Sequence, residues 1–325
     1  MVVAVTGASG HVGTNLIPHL IEKGYQVRVL VHRNTHVFEH LNVTPIRGDL
    51  LNKESLTECI DGAKIVIHLA GVITLERKSE EVLRVNIDGT RNLLETSTGL
   101  GVKKFIFFSS IHALNVFPLN GIMDETRELN YGSQFDYDKS KVRGEEMMLD
   151  TARNGMHTVI LNPTAIIGPN DSKPSQLGKA ITQFYRGKIP ALLNGGYNFV
   201  DVRDVVDATL QAIERGRRGE RYIVSGYWQS IRGLAEAVHN NGGRKPPKLT
   251  VPFWMARLGA GVLNYFSTGK NDERLFAPTS LDTLEHSHKN ISHDKASREL
   301  GYRPRKFEQT IQDTVNWFRQ NNEIK

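Results

Sequence analysis

This chain of 325 residues has a single cysteine, no apolar run of membrane-spanning length and no strong net charge. Cys59 is the single cysteine, so an intrachain disulfide is excluded and no oxidising compartment is required. The most apolar late segment, 251–266, is too short to span a bilayer and is interrupted by Arg257. Lys and Arg exceed Asp and Glu by only 41 to 35, and the basic clusters at 215–218 and 303–306 are short. We therefore expect no membrane span and no nucleic-acid partner.

What the chain does have is an apolar start that turns at once into a glycine-spaced loop. Residues 2–5 suit a strand buried on both faces, and apolar positions with helical spacing follow as far as Gly24. Because that strand begins next to Met1, we expect no signal peptide and a cytoplasmic location.

The spacing of the glycines suits a phosphate-binding turn. Gly7 permits a tight turn, Gly10 permits close approach of a pyrophosphate, and Gly13 permits a helix to pack closely on the sheet. The free amides and positive dipole end of the following helix favour an anion. An ordinary glycine-bearing turn is the alternative. The pattern predicts a dinucleotide-binding loop that includes Gly7, Ser9, Gly10, His11, Val12 and Gly13.

The end of the second predicted strand, 25–31, carries no acidic residue. In dinucleotide-binding folds an acid at this position accepts hydrogen bonds from the adenosine ribose, whereas a cation suits a 2′-phosphate. His32 and Arg33 stand there instead, and an arginine can pair with phosphate through two hydrogen bonds. The sequence favours NADP over NAD as the cofactor, with a solvent-facing Arg33 as the alternative interpretation.

Tyr137 and Lys141 form the strongest local signal. They are four residues apart, so a helix places both on one face within reach of a shared ligand. A tyrosine is a poor acid or base near neutrality, and a nearby ammonium group should lower its pKa. The pattern predicts an active-site pair, with an amphipathic helix surface as the alternative. His112, which follows the apolar strand 105–108, is a weaker candidate for contact with substrate.

The spacing Thr6-Gly7-x-x-Gly10-x-x-Gly13 resembles that of the short-chain dehydrogenase/reductase superfamily. The chain length resembles the extended branch of that superfamily, which includes sugar-nucleotide epimerases, dihydroflavonol reductases and 3β-hydroxysteroid dehydrogenases. The resemblance continues through Tyr137-x-x-x-Lys141 to about residue 319. It implies that Ser110 polarises the substrate oxygen, that Tyr137 exchanges the proton, and that Lys141 tunes the tyrosine and orients the nicotinamide ribose.

The same resemblance implies further contacts. Asp49 would meet the adenine amino group, although it could equally cap a helix, and Pro163 would lie near the nicotinamide ring. Asn86 would support the site by hydrogen bonding, or it could be a helix-surface amide. Asn162-Pro163-Thr164 stands where epimerases more often have Phe-Asn, which favours a reductase. The remaining cofactor positions are Leu50, Leu69, Ala70 and Gly71, and Val72 joins His112 on the substrate side.

Alternating apolar strands and helices predict an α/β fold, a doubly wound parallel (Rossmann) sheet with a smaller mixed α/β substrate domain. We place the dinucleotide-binding domain at 1–165 plus 199–226 and the substrate domain at 166–198 plus 227–325. A helix over 251–268 could line the substrate pocket or pack between domains.

The expected activity is hydride transfer between a nicotinamide and the carbonyl or secondary alcohol of a small molecule. The alternatives are a nucleotide-sugar epimerase or dehydratase that retains NAD, and a non-catalytic cofactor sensor or scaffold. No metal is expected. The resemblance further implies a possible homodimer.

Overall fold

A seven-stranded, wholly parallel sheet forms the centre of the fold in the computed structural model, which describes residues 1–32, 38–74, 76–257 and 278–324. Its strands are β1 Val2–Thr6, β2 Gln26–Val31, β3 Val43–Arg47, β4 Ile65–His68, β5 Lys104–Phe108, β6 His157–Pro163 and β10 Glu220–Val224. Their order across the sheet is β10-β6-β5-β4-β1-β2-β3, so the chain adds strands on one side of β1 as far as β3 and then on the other side from β4. This is a doubly wound arrangement, and the predicted fold class is confirmed.

Apolar residues on both faces explain why these strands are central. Val3 and Val5 point into one core cluster together with Leu16 of the first helix, whereas Ala4 lies in a second cluster with Leu56. The alternation follows the two-residue repeat of a strand, and it fills both faces because helices cover both. The near-continuous apolar runs of the sequence are the consequence of this double burial.

The helices alternate with the strands for most of the chain. A π-helical turn, Arg84–Asp88, joins α3 to α4, and a 3₁₀ turn, Ile111–Ala113, follows β5. The described helices are α1 His11–Glu22, α2 Lys53–Ile60, α3 Glu80–Leu83, α4 Gly89–Gly99, α5 Asp136–Arg153, α6 Gln176–Arg186, α7 Val202–Arg215, α8 Ile231–Asn240, α9 Pro278–Glu285, α10 Asp294–Leu300 and α11 Phe307–Gln320. No helix in these ranges is long and apolar enough to cross a membrane.

Two small sheets complete the fold. β9, Gly196–Asp201, lies between β7, Ala165–Ile167, and β11, Tyr227–Ser230, and a short parallel pair joins β8 and β12. β8 is Leu192–Leu193 and β12 is Thr250–Val251. A third core cluster joins α6, α8 and α11 to β9.

β9 begins before the predicted domain boundary at residue 199, and the division into two domains stays a prediction. The predicted helix over 251–268 is helical at 253–257, and its remainder, with Leu258, Leu263 and Phe266, lies outside the described residues.

Candidate active site

The glycine loop between β1 and α1 is shaped by close backbone contacts. Gly7 has a φ of +72°, and a Cβ atom there would lie 2.5 Å from the backbone nitrogen of Ala70. A Cβ on Gly13 would lie 2.4 Å from the carbonyl oxygen of Ala8. Both contacts exclude a side chain, so β1 turns directly beneath the end of β4 and α1 packs directly on the loop.

The outer side of the same loop is open. Gly10 caps α1 without a side-chain hydrogen bond, and no acidic residue occupies the first turn. A Cβ on Gly10 would meet only the carbonyl oxygen of Gly7, at 3.3 Å. The amides at this helix start therefore face a space that suits an anion. Ser9 is half-buried on the loop, and Val12 packs against the core of the sheet.

The side chains of α1 fasten the loop to a distant segment. His11 Nε2 lies 2.9 Å from the carbonyl oxygen of Pro169, and Asn15 Nδ2 donates to the same oxygen at 3.2 Å. Asn170 Nδ2 in turn donates to Asn15 Oδ1 at 3.0 Å. The side chain of His11 is thus engaged with the segment after β7.

The predicted adenosine end lies at the tips of β2 and β3. His32 Nε2 is 3.3 Å from Asp49 Oδ2, and both side chains are exposed. Asp49 Oδ1 accepts from the backbone N–H of Leu51, whereas Asn52 caps α2. The side chain of Leu50 is buried in the core, and its carbonyl oxygen accepts from Asn92 Nδ2 at 3.3 Å, so any contact with a ligand would involve its backbone. Arg33 lies outside the described residues, and the preference for NADP still depends on the sequence alone.

The end of β4 is fixed by Asn86 on the π-helical turn. Asn86 Oδ1 accepts from the backbone N–H of Val72 at 2.7 Å, and its Nδ2 donates to the Val72 carbonyl and to Ser140 Oγ. A Cβ on Gly71 would lie 3.6 Å from Lys141 Nζ. Irregular π turns often occur at functional sites, and this one holds residues 71–72 beside Lys141. Leu69 and Ala70, just before them, are partly buried.

Ser110, Tyr137 and Lys141 come together at the carboxyl ends of β4 and β5. The Ser110 hydroxyl lies near the Tyr137 phenol and, as a hydrogen-bonding partner, lowers its pKa. Lys141 Nζ donates to the Phe108 carbonyl at 2.9 Å and lies 5.7 Å from the centre of the Tyr137 ring. The two residues of α5 are on one helix face, as their spacing predicts, and that face meets the strand end that carries Ser110.

Burial decides the protonation of this group. It raises the pKa of Tyr137 to about 12, which the Ser110 hydrogen bond opposes and Asp138 reinforces. It lowers the pKa of Lys141 to about 8, and the carboxylate of Glu145 opposes that shift. The expected lowering of the tyrosine pKa is therefore not seen, because desolvation of the phenolate outweighs the opposing effect of the Ser110 hydroxyl. Tyr137 is protonated at neutral pH.

The predicted substrate side is only partly assembled. The backbone N–H of His112 donates to Ser110 Oγ, and His112 Nδ1 lies 3.8 Å from Asp138 Oδ1. Val72 is half-buried beside Asn86, and Pro163 is buried at the end of β6. The structure thus places His112 next to Ser110, while its contact with a substrate stays a prediction.

The sequence reasoning missed Glu145. This fully buried residue lies one helical turn beyond Lys141 and accepts hydrogen bonds from Ser109 and Asn162. The signal was available, because Tyr137, Lys141 and Glu145 continue one stripe of the helix at intervals of four residues.

The sheet, the glycine loop and the Tyr137–Lys141 helix define an oxidoreductase of the extended short-chain dehydrogenase/reductase type. The chain belongs to the NAD dependent epimerase/dehydratase family, which matches residues 3–225. The resemblance found in the sequence is confirmed.

The chain is similar along its whole length to several known proteins. It is 34% identical to the Synechocystis sp. protein named "Putative dihydroflavonol 4-reductase", over 99% of this chain and 95% of that one. It is 30% identical to sterol demethylase protein B of Methylococcus capsulatus, over 100% of both chains. The structure of UDP-glucose 4-epimerase from Thermus thermophilus, a complex with NAD, has a TM-score of 0.79 at 24% identity, covering 98% of this chain and 99% of that one.

Proposed function

We propose that this protein is a reductase that transfers a hydride reversibly between a nicotinamide dinucleotide and the carbonyl or secondary alcohol carbon of a small molecule. The single observation that carries the proposal is the cluster of Ser110, Tyr137 and buried Lys141 at the end of β5. A non-catalytic cofactor sensor has no need of a tyrosine grouped with a serine hydroxyl and a buried lysine.

The open glycine loop fits a dinucleotide. The cradle is closed to side chains at Gly7 and Gly13 and open above Gly10, which suits a pyrophosphate. His32 and Asp49 would hold the adenosine end, and Gly71, Lys141 and Pro163 would surround the nicotinamide end. The bound cofactor supplies or accepts the hydride at its nicotinamide C4.

The protein's own residues manage the proton. In the direction of reduction, Tyr137 donates its proton to the oxygen of the carbonyl as the hydride reaches the carbon, which gives a secondary alcohol. Ser110 donates a hydrogen bond to the same oxygen and stabilises its developing negative charge. Lys141 donates to the nicotinamide ribose and favours the tyrosinate left behind. In the direction of oxidation, the tyrosinate takes the proton back.

Two considerations support a reductase rather than an epimerase. Residues 162–164 are Asn-Pro-Thr. Asn162 Nδ2 donates to the Ser110 carbonyl oxygen and to Glu145 Oε1, so both of its hydrogens are used and none remains for a sugar hydroxyl. Two relatives that match 99% and 100% of the chain bear the names "Putative dihydroflavonol 4-reductase" and "Sterol demethylase protein B". We therefore propose a cyclic, largely apolar ketone or alcohol as the substrate class and NADP as the preferred cofactor.

The nucleotide that the protein carries tests the proposal. Freshly purified protein is denatured, the released nucleotide is identified and counted, and NADPH and NADH are then rebound to intact protein. Empty protein that prefers NADPH supports the reductase. Near-full occupancy by NAD contradicts it in favour of an epimerase that recycles one trapped cofactor, and failure to bind either nucleotide contradicts both.

A further inference from the structure

Glu145 links the three structural parts that carry the proposed active site. It lies on α5, four residues beyond Lys141, and its side chain is fully buried. Its Oε1 accepts from Ser109 Oγ and from Asn162 Nδ2, each at 2.5 Å. Ser109 directly precedes Ser110, and Asn162 directly precedes Pro163. One carboxylate oxygen therefore joins the helix of Tyr137 and Lys141 to the ends of β5 and β6.

The contact between those two strand ends continues through Asn162. Its Nδ2 also donates to the carbonyl oxygen of Ser110 at 3.0 Å, so this one amide bonds both Glu145 and the backbone of the serine. A charged acceptor makes stronger hydrogen bonds than a neutral one. The position of the Ser110 hydroxyl relative to Tyr137 is thus set through Glu145.

A partly buried cation compensates the charge of Glu145. Arg221 Nη2, on β10, lies 2.9 Å from Glu145 Oε2 as an ion pair. The other terminal nitrogen of Arg221 reaches the carbonyl oxygens of Glu125 and Arg127 at 3.5 and 3.4 Å. A buried carboxylate with such a partner is retained in the charged form far more easily than an isolated one.

The surroundings of Lys141 contain few other charges. Tyr137 and Glu145 share its helix, and His68 on β4 is held neutral by burial, which lowers its pKa to about 3. Lys141 itself donates to a backbone carbonyl and faces the rings of Phe107 and Tyr137. The negative charge that acts on the Lys141 ammonium is that of Glu145.

We propose that Glu145 is a positioning residue, which holds the ends of β5 and β6 against α5 and places a negative charge one helical turn from Lys141. The proposal rests on the proposed function, since it assigns Lys141 to the nicotinamide ribose. It separates two effects: the hydrogen bonds of Glu145 place Ser110, and its charge sets the pH range in which Lys141 binds the cofactor.

The charge is tested with a double variant. Glu145→Gln alone leaves Arg221 as a partly buried, unpaired cation and endangers folding, whereas E145Q/R221Q removes both charges and keeps the shape of Glu145. NADPH binding is measured by fluorescence from pH 6 to 10, which needs no substrate. In the wild type, we expect binding to weaken as Lys141 loses its proton around pH 8. In the double variant we expect this loss at a lower pH, because the carboxylate of Glu145 raises the pKa of Lys141.

Matched variants make the outcome specific. Glu146→Gln changes the neighbouring, more exposed carboxylate, which pairs with Arg143, and should leave the NADPH pH profile unchanged. Ser109→Ala removes one hydrogen bond to Glu145 but no charge, so we expect slower reduction of a test ketone with the pH profile of binding unmoved. An E145Q/R221Q protein with the wild-type profile overturns the proposal.

Glu145→Asp covers the case in which the double variant does not fold. It keeps the carboxylate but withdraws it from Ser109 and Asn162, and we expect at least a roughly tenfold fall in the rate of reduction. Unchanged turnover in Glu145→Asp overturns the proposal as well. If wild-type protein binds no NADPH, the proposed function fails. If the wild type binds with the expected profile and the variants match it, only the role of Glu145 fails.

Discussion

Lys141 Nζ donates a 2.9 Å hydrogen bond to the carbonyl oxygen of Phe108, the last residue of β5. A buried lysine is thereby anchored to the strand end that leads directly to Ser110. This hydrogen bond joins α5 to β5 at the candidate site through the side chain of a proposed catalytic residue. A substitution at Ser110 or Tyr137 that keeps the Lys141–Phe108 hydrogen bond should lower the reaction rate more than the free energy of unfolding.

Tyr137→Phe tests the proton donor. The substitution removes one oxygen and leaves the ring, so we expect the fold and NADPH binding to persist while turnover falls by about 10²- to 10⁴-fold, the usual contribution of a positioned acid or base. Steady-state rates of NADPH oxidation with a ketone measure it. Tyr131→Phe, at an exposed tyrosine of the preceding loop, serves as the control and should keep the wild-type rate. Full turnover in Tyr137→Phe would show that another group supplies the proton.

The two reaction directions should depend differently on pH. Because the pKa of Tyr137 is raised to about 12, the acid needed for reduction is fully present at pH 6 to 7, and that rate should be flat below the range in which Lys141 loses its proton. Oxidation needs the tyrosinate, whose small fraction grows tenfold per pH unit, so its rate should rise across the same range. In Ser110→Ala the tyrosinate loses a hydrogen bond, and the oxidation profile should move to higher pH. A flat oxidation profile in the wild type contradicts the assignment.

Gly10 and Gly7 form a matched pair for the cofactor loop. The backbone of Gly10 has a φ of −82°, which any residue can adopt, and an alanine methyl there would have one neighbour at 3.3 Å. Gly10→Ala should therefore fold with little loss of stability. The methyl would nevertheless occupy the space above the loop, and we expect NADPH to bind at least roughly tenfold more weakly. Gly7→Ala would clash with the backbone of Ala70 and should lower the thermal midpoint instead. Equal NADPH affinity in Gly10→Ala and the wild type would place the pyrophosphate elsewhere.

Acid should destabilise the protein partly through His68. This histidine is buried between the hydroxyls of Thr6 and Thr90, and burial lowers its pKa to about 3. As pH falls from about 6.5 to about 3, His68 therefore binds a proton in the unfolded state but not in the folded state. The free energy of unfolding falls by up to about 5 kcal/mol over that window. Urea unfolding at pH 7 and pH 4.5 measures the slope.

His68→Gln separates this contribution from that of the carboxylates. The variant is less stable at pH 7, but its loss between pH 7 and 4.5 should be smaller than in the wild type. His19→Gln, at an exposed histidine of α1, is the control and should retain the full loss. An equal loss in His68→Gln and the wild type would mean that His68 is protonated in the folded state.

The strands, the glycine loop and the Tyr137–Lys141 pair were predictable because each is local. A strand buried on both faces is an unbroken apolar run, and residues four apart in a helix share a face whatever lies opposite. The Glu145 contacts to Ser109 and Asn162 were not predictable, because they depend on which strand ends meet α5. The direction of the Tyr137 pKa shift was missed for a related reason: burial depends on tertiary packing, which spacing does not report.

The hydrogen bonds from α1 to residues 169–170 determine how much of the chain is required to complete the proposed dinucleotide site. His11 and Pro169 are 158 positions apart in the chain. The hydrogen bond between them can therefore form only after β7 has been placed beside the glycine loop and α1. A shortened protein that ends before β7 would keep every glycine of the loop and lose the partner of its first helical turn. The proposed phosphate site is therefore local in its spacing but is completed by the fold as a whole.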